Sequence, residues 1–112
     1  MVNSILDTVK RKSVDEVSAV LKDHLQKMIL FGSYARGDYS SESDIDIAVL
    51  VSDDREGSTK YQPELVSISS KIDLESMAVV NFICLPLKEF DERKSYYPFY
   101  SNIEKEGEVI YG

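Results

Sequence analysis

The sequence predicts an α+β fold, a small mixed sheet packed by helices, on three observations. Short runs rich in bulky and β-branched residues recur at Gln26–Gly32, Asp46–Val51 and Met77–Leu87, each of strand length. Segments with the apolar period of amphipathic helices lie between and before them. The chain has 112 residues, 43% of them apolar, which suffices for one core without disulfides or structural metal. A single domain over residues 1–112 is therefore expected.

Taken in order, Ser13-Val14-Asp15-Glu16 has the form of a capping box, in which serine and glutamate satisfy orphan amides at a helix start. Val14, Val17, Val20, Leu21 and Leu25 recur near the helical period and would form the buried face, with Lys22 and Asp23 outward. Gln26–Gly32 follows as the first strand, stopped by Gly32. Asp46–Val51 is the second, with a start as early as Asp44. The charged stretch Ser52–Ser58 ends it. Pro63 fits the first turn of another helix, which Leu65, Val66, Ile68, Ile72 and Leu74 would line. Met77–Leu87 has the β-branched and aromatic content of a third strand, with Pro86 near its end. The tail suggests one or two short helices, a turn at Gly107 and a last strand through Val109 and Tyr111.

Charge and cysteine usage narrow the function. Thirteen basic residues against twenty acidic ones give a net charge of -7, which disfavours direct binding to nucleic acid. A small anionic nucleotide stays compatible, because divalent cations screen its phosphates from carboxylates. The N-terminus lacks the apolar core of a signal peptide, and no run of about 18 apolar residues suggests a membrane span. The cytoplasm is the expected compartment. Cys84, the one cysteine, reads as a buried, reduced thiol.

The chemistry concentrates in FGSYARGDYSSESDIDIAVLV, Phe31 to Val51. Gly32–Gly37 matches the opening of a P-loop, yet Asp38 and Tyr39 stand where lysine and Ser/Thr are needed. An EF-hand fails in turn, with Ser43 at the glycine position and Val49 at the closing glutamate. The surviving reading uses both halves of the stretch. A strand ending in Gly32-Ser33 leaves turn amides facing outward, and glycine lets a phosphate approach the backbone. Asp44 and Asp46 project to the same side of the next strand, about 7 Å apart along the chain. Ile45, Ile47, Val49 and Val51 take the other face and anchor them. Paired carboxylates beside a phosphate-binding turn suit phosphoryl or nucleotidyl transfer with divalent ions.

At these residues the stretch resembles the signature of the minimal nucleotidyltransferases of the DNA polymerase β-like superfamily, the group that includes MntA-type antitoxins. Gly-Ser is followed about ten residues later by Asp-x-Asp, between two strand-like runs. The resemblance implies a polymerase β-like fold, ATP as substrate and Mg2+ as cofactor. It implies that Gly32 and Ser33 bind the nucleotide phosphates, that Arg36 lies beside them, and that Asp44 and Asp46 hold the metal. Relatives carry a third carboxylate on a neighbouring strand as metal ligand and base. Here the polar residue of that strand is Asn81, whose amide oxygen could ligate a metal weakly but cannot take a proton at neutral pH. Asp73 and Glu75 lie upstream, and only a bent connection would bring either to the site.

The resemblance further implies transfer of AMP to a hydroxyl of another protein, the antitoxin half of a pair with a helical HEPN-type RNase. The rival reading is a nucleotide-binding module, weak or inactive in catalysis, that neutralises its partner by contact. Arg36 could instead pair with Asp38 or Glu42 at the surface. His24 reads as a solvated helix-end residue. Tyr96, Tyr97, Phe99 and Tyr100 are either core or a docking surface, and self-association into a homo-oligomer stays open.

Overall fold

The computed structural model describes residues 2–112. Its first element, α1 (Val2–Leu21), is one continuous helix of 20 residues, so the helix begins well before the capping-box motif. Four strands follow, interleaved with helices: β1 (Leu25–Phe31), β2 (Ile45–Val51), β3 (Val80–Pro86) and β4 (Glu108–Tyr111). They form one sheet in the order β3-β2-β1-β4. β1 pairs antiparallel with both β2 and β4, while β2 and β3 run parallel, which makes the sheet mixed. The parallel pair needs a crossover, supplied by α3 (Arg55–Thr59) and α4 (Gln62–Ser76). α2 (Ser33–Arg36) is a single turn between β1 and β2, and α5 (Leu87–Arg93) and α6 (Pro98–Glu106) lead from β3 to β4.

Helices cover both faces. On one, Val9, Val17 and Leu21 of α1 and Leu65, Ile68 and Ile72 of α4 pack on Met28, Leu30, Ile45, Ile47, Val49 and Val51. On the other, Phe90 of α5 and Tyr100 and Ile103 of α6 cover Ile29, Ala48 and Leu50. β2 is thus buried on both sides and is the rigid centre of the sheet.

Three local expectations change. Val20, Val66 and Leu74, expected in the core, are exposed at 44%, 52% and 82%. The buried stripe of α1 follows Val9, Val17 and Leu21, and that of α4 follows Leu65, Ile68 and Ile72. Val20 and Val66 each sit one residue, about 100° of rotation, off their stripe. The stretch after β2, read as a simple break, contains α3, capped by the Asp54 side chain accepting from the Gly57 amide at 2.8 Å. Ser13 is no cap at all. It lies inside α1, fully buried, and its Oγ has no hydrogen-bond partner among the described residues.

Packing accounts for Ser13. The Lys12–Glu75 and Glu16–Lys71 ion pairs, both at 2.9 Å, clip α1 to α4 on either side of it. A small side chain between the clips lets the helices lie close. Burying an unpaired hydroxyl costs roughly 1–3 kcal/mol, so Ser13→Ala is expected to raise the urea midpoint, with a stability gain of about 1 kcal/mol. A lowered midpoint would show that the hydroxyl does bond in solution. Among the described residues no helix is long and apolar enough to cross a membrane.

Candidate active site

β1 ends at Phe31, and the chain turns at Gly32 with φ 77°. Two constraints require glycine there. The backbone is in the left-handed half of conformational space, and a Cβ would lie 2.5 Å from Asp46 Oδ2. The amides of Ala35 and Arg36 both return to the Gly32 carbonyl at 3.1 Å. Those of Ser33 and Tyr34, at the start of α2, have no carbonyl within the helix to meet. With the Ser33 hydroxyl they make a donor-rich turn directly beside a carboxylate.

That carboxylate belongs to a row across three strands. Phe31 of β1 stands opposite Asp46 of β2, which stands opposite Asn81 of β3. Alternation along β2 puts Asp46 on the same face as Ala48 and Leu50, the face covered by α5 and α6. Asp44 lies just before the strand. Asn81 Nδ2 donates to Asp44 Oδ2 at 3.1 Å and, more weakly, to Asp46 Oδ1 at 3.4 Å. The two aspartates therefore converge on one point, bridged by an amide.

Burial, above all, raises the Asp46 pKa from its ordinary value; the Asn81 hydrogen bond opposes this, the nearby Asp44 charge adds to it, and Arg36 pulls it back down. A partly buried carboxylate beside a second one favours a cation. Among the described residues no three His, Cys, Asp or Glu side chains cluster for a metal, so an all-protein cage is absent there. Mg2+ is typically held by one or two carboxylates together with substrate phosphates and water. Asp44 and Asp46 fit that mode, with the Asn81 amide oxygen as a neutral third donor if the side chain turns over.

Arg36 also reaches the site. Its Nε lies 3.2 Å from Asp38 Oδ2 and 4.0 Å from Glu106 Oε2. The surface pairing with Asp38 thus exists, but the guanidinium still acts on Asp46 through its charge. Glu106, on α6, was not foreseen; it lies far from the motif in sequence and nothing local marks it. Tyr34 and Tyr39 stack face to face at 4.5 Å and fix the path of the loop that leads to Asp44.

Several candidates fall outside the site. Glu75 Oε1 is held by Lys12 at 2.9 Å, and Asp73 Oδ1 accepts from the Val80 amide at 2.9 Å. Neither joins the aspartates. His24 is exposed, and its Nδ1 meets Asp53 Oδ1 at 2.9 Å, at the opposite end of β2 from Asp46. Tyr61 donates to the same Asp53 oxygen at 3.0 Å. Burial pushes the Cys84 thiol up to about 11, which leaves it protonated and unreactive.

Comparison with known proteins accords with this geometry. The family model described as a nucleotidyltransferase domain matches residues 9–110. One relative, an inferred protein adenylyltransferase of Methanocaldococcus jannaschii, is 33% identical over 101 residues, covering 90% of this chain and 93% of its own. A second protein of the same organism and description is 41% identical over 71 residues, 63% of this chain and 69% of its own. Among solved structures, a tri-AMPylated HEPN toxin of Shewanella oneidensis in complex with an MNT antitoxin matches with a TM-score of 0.59 and 20% identity, over 95% of this chain and 71% of that one. Fold, motif spacing and a family match over most of the length agree: the chain belongs to the nucleotidyltransferase domain family and is a nucleotidyltransferase.

Proposed function

We propose that residues 1–112 act as one nucleotidyltransferase domain that moves AMP from ATP to a hydroxyl of a partner protein in the cytoplasm, with Mg2+ as cofactor. The observation that carries the reading is the contact between the two halves of the motif, since the missing Cβ of Gly32 is what makes room for Asp46. Ser33 and the first amides of α2 would hold the phosphates, and Arg36 would balance their charge from the side. Asp44 and Asp46 would hold the cation, whose charge would offset that of the triphosphate when bound. The acceptor oxygen bonds to the α-phosphorus as the bond to the bridging oxygen of the β-phosphate breaks, and pyrophosphate leaves. Asn81 cannot take the acceptor's proton, which would pass to solvent.

Two comparisons support a protein acceptor: the curated relatives are inferred protein adenylyltransferases, and the fold matches a complex that contains an AMPylated HEPN toxin. The partner is accordingly proposed to be a HEPN-type toxin, with this chain as antitoxin. One observation favours the second reading, a binding module that neutralises by contact: Asn81 puts an amide, not a base, against both aspartates.

The test is co-expression with the product of the adjacent reading frame, purification through a tag on one chain, and transfer from α-labelled ATP with and without Mg2+. Label and added AMP mass on the partner, dependent on Mg2+, are expected. Co-purification without added mass would favour the binding module, and neither co-purification nor modification would defeat both.

A further inference from the structure

Beside the Gly32 turn, between the end of β1 and α6, lies a small recess of about 180 Å³. Its wall on the α6 side is one stripe of that helix, since Phe99, Asn102, Ile103 and Glu106 follow each other at the spacing of a single helical face. Phe31 adjoins that wall, edge-on to Phe99 with ring centroids 5.9 Å apart. Gly32 and Arg36 close the end towards the phosphate turn. The recess is therefore flat and apolar at its sides, with an amide, a carboxylate and a guanidinium at its rim. Phe99 keeps 40% of its surface exposed, and Asn102 and Glu106 are exposed as well, so the apolar wall is open to a ligand.

We infer that this recess receives the base of the nucleotide and that its rim selects adenine. The inference rests on the proposed binding of a nucleoside triphosphate at Gly32 and Ser33 and names the part of the site that the motif leaves unassigned. Position supports it: Phe31 pairs directly with Asp46 across the sheet, so the recess and the carboxylates lie on the same face. Chemistry supports it as well. A planar heteroaromatic ring suits stacking on the exposed surface of Phe99, which Phe31 supports from its edge. The Glu106 carboxylate only accepts and the Asn102 amide both donates and accepts. That pair matches the amino group and ring nitrogen on the edge of adenine, whereas guanine seated in the same pose would turn its carbonyl towards the carboxylate. Glu106 is poised for the exchange, since its contact with Arg36 is a loose 4.0 Å.

The test compares affinities, by calorimetry with Mg2+, of ATP, GTP and inorganic tripolyphosphate for the native chain and for Phe99→Ala, Asn102→Ala and Glu106→Gln. The native chain is expected to bind ATP at least tenfold more tightly than tripolyphosphate or GTP. Phe99→Ala and Asn102→Ala should each weaken ATP about five- to tenfold and leave tripolyphosphate unchanged, and Glu106→Gln should narrow the ratio of ATP to GTP affinity. Asn102 is exposed, so its variant keeps the test sound if Phe99→Ala disturbs packing. Tripolyphosphate binding with ATP affinity unmoved by Asn102→Ala and Glu106→Gln would overturn the base site alone. Failure of the native chain to bind either tripolyphosphate or ATP would overturn the nucleotide reading beneath it.

Discussion

Changing Asp44 and Asp46 together to asparagine is expected to abolish nucleotidyl transfer and to remove the rise in melting temperature that ATP with Mg2+ gives the native chain. Ligand held at 100 times its Kd adds about 2.7 kcal/mol to stability, a shift of roughly 10 °C for a domain of this size. The double variant loses it because no carboxylate remains to share a cation with the phosphates. It should still fold, and in chelator at neutral pH it should melt above the native chain. The sign follows from Asp46, whose pKa is raised chiefly by burial. A carboxylate with a raised folded pKa burdens the fold only when ionised, so the cost is absent below its ordinary pKa of about 4 and sets in as pH rises through the folded value. Native stability in chelator should therefore fall over that range and the variant's should not. A double variant that keeps the full ATP shift would refute the assignment of the metal to these residues.

Asn81→Asp should act in the opposite direction on catalysis. The register sets residue 81 opposite Asp46, and its amide nitrogen already lies within hydrogen-bond distance of both aspartates. A carboxylate there would add the missing base, and general-base help is worth roughly 10²- to 10⁴-fold in rate. Transfer from α-labelled ATP should rise accordingly when Mg2+ is present. In chelator the same variant should lose stability, because three carboxylates then face each other with Arg36 as the nearby positive charge. Glu75, the rival for the base, is bound to Lys12, whose hydrogen bond lowers its pKa. Glu75→Gln should leave transfer unchanged; loss of transfer in it, with no gain in Asn81→Asp, would move the role to Glu75.

The Gly32 turn and the aspartates were legible as one motif, whereas contacts made by elements distant in sequence were not. Asp46 lies on β2 and Asp44 just before it, and their two-residue spacing, which the sequence states directly, sets them on one side. The strands were readable from β-branched content, and α4 from Pro63 and its apolar spacing. The start of α1 was not, because Ser13 and Glu16 mimic a cap in a helix already under way, and only the packing of α4 shows why serine is there. Asn81 stood out as the polar residue on its strand, but its double hydrogen bond depends on the parallel pairing with β2. Glu106 and the α6 stripe carried no local signal, since their meaning comes from a helix laid across the end of β1.

The row Phe31, Asp46, Asn81 has a consequence for how the site is assembled during folding. Phe31 and Asp46 meet within an antiparallel pair joined by a short connection, an inexpensive loop to close. Asn81 lies 35 residues beyond Asp46, and it arrives only when the crossover through α4 has shut and β3 has paired in parallel, the slower kind of contact to form. The Gly32 turn and Asp46 are thus expected to meet before the third strand docks. β3 is also an edge of the sheet, hydrogen-bonded on one side alone. Its opening would carry Asn81 away while Gly32 and Asp46 stayed together, exchanging a site of three polar residues for one of two without unfolding the centre of the molecule.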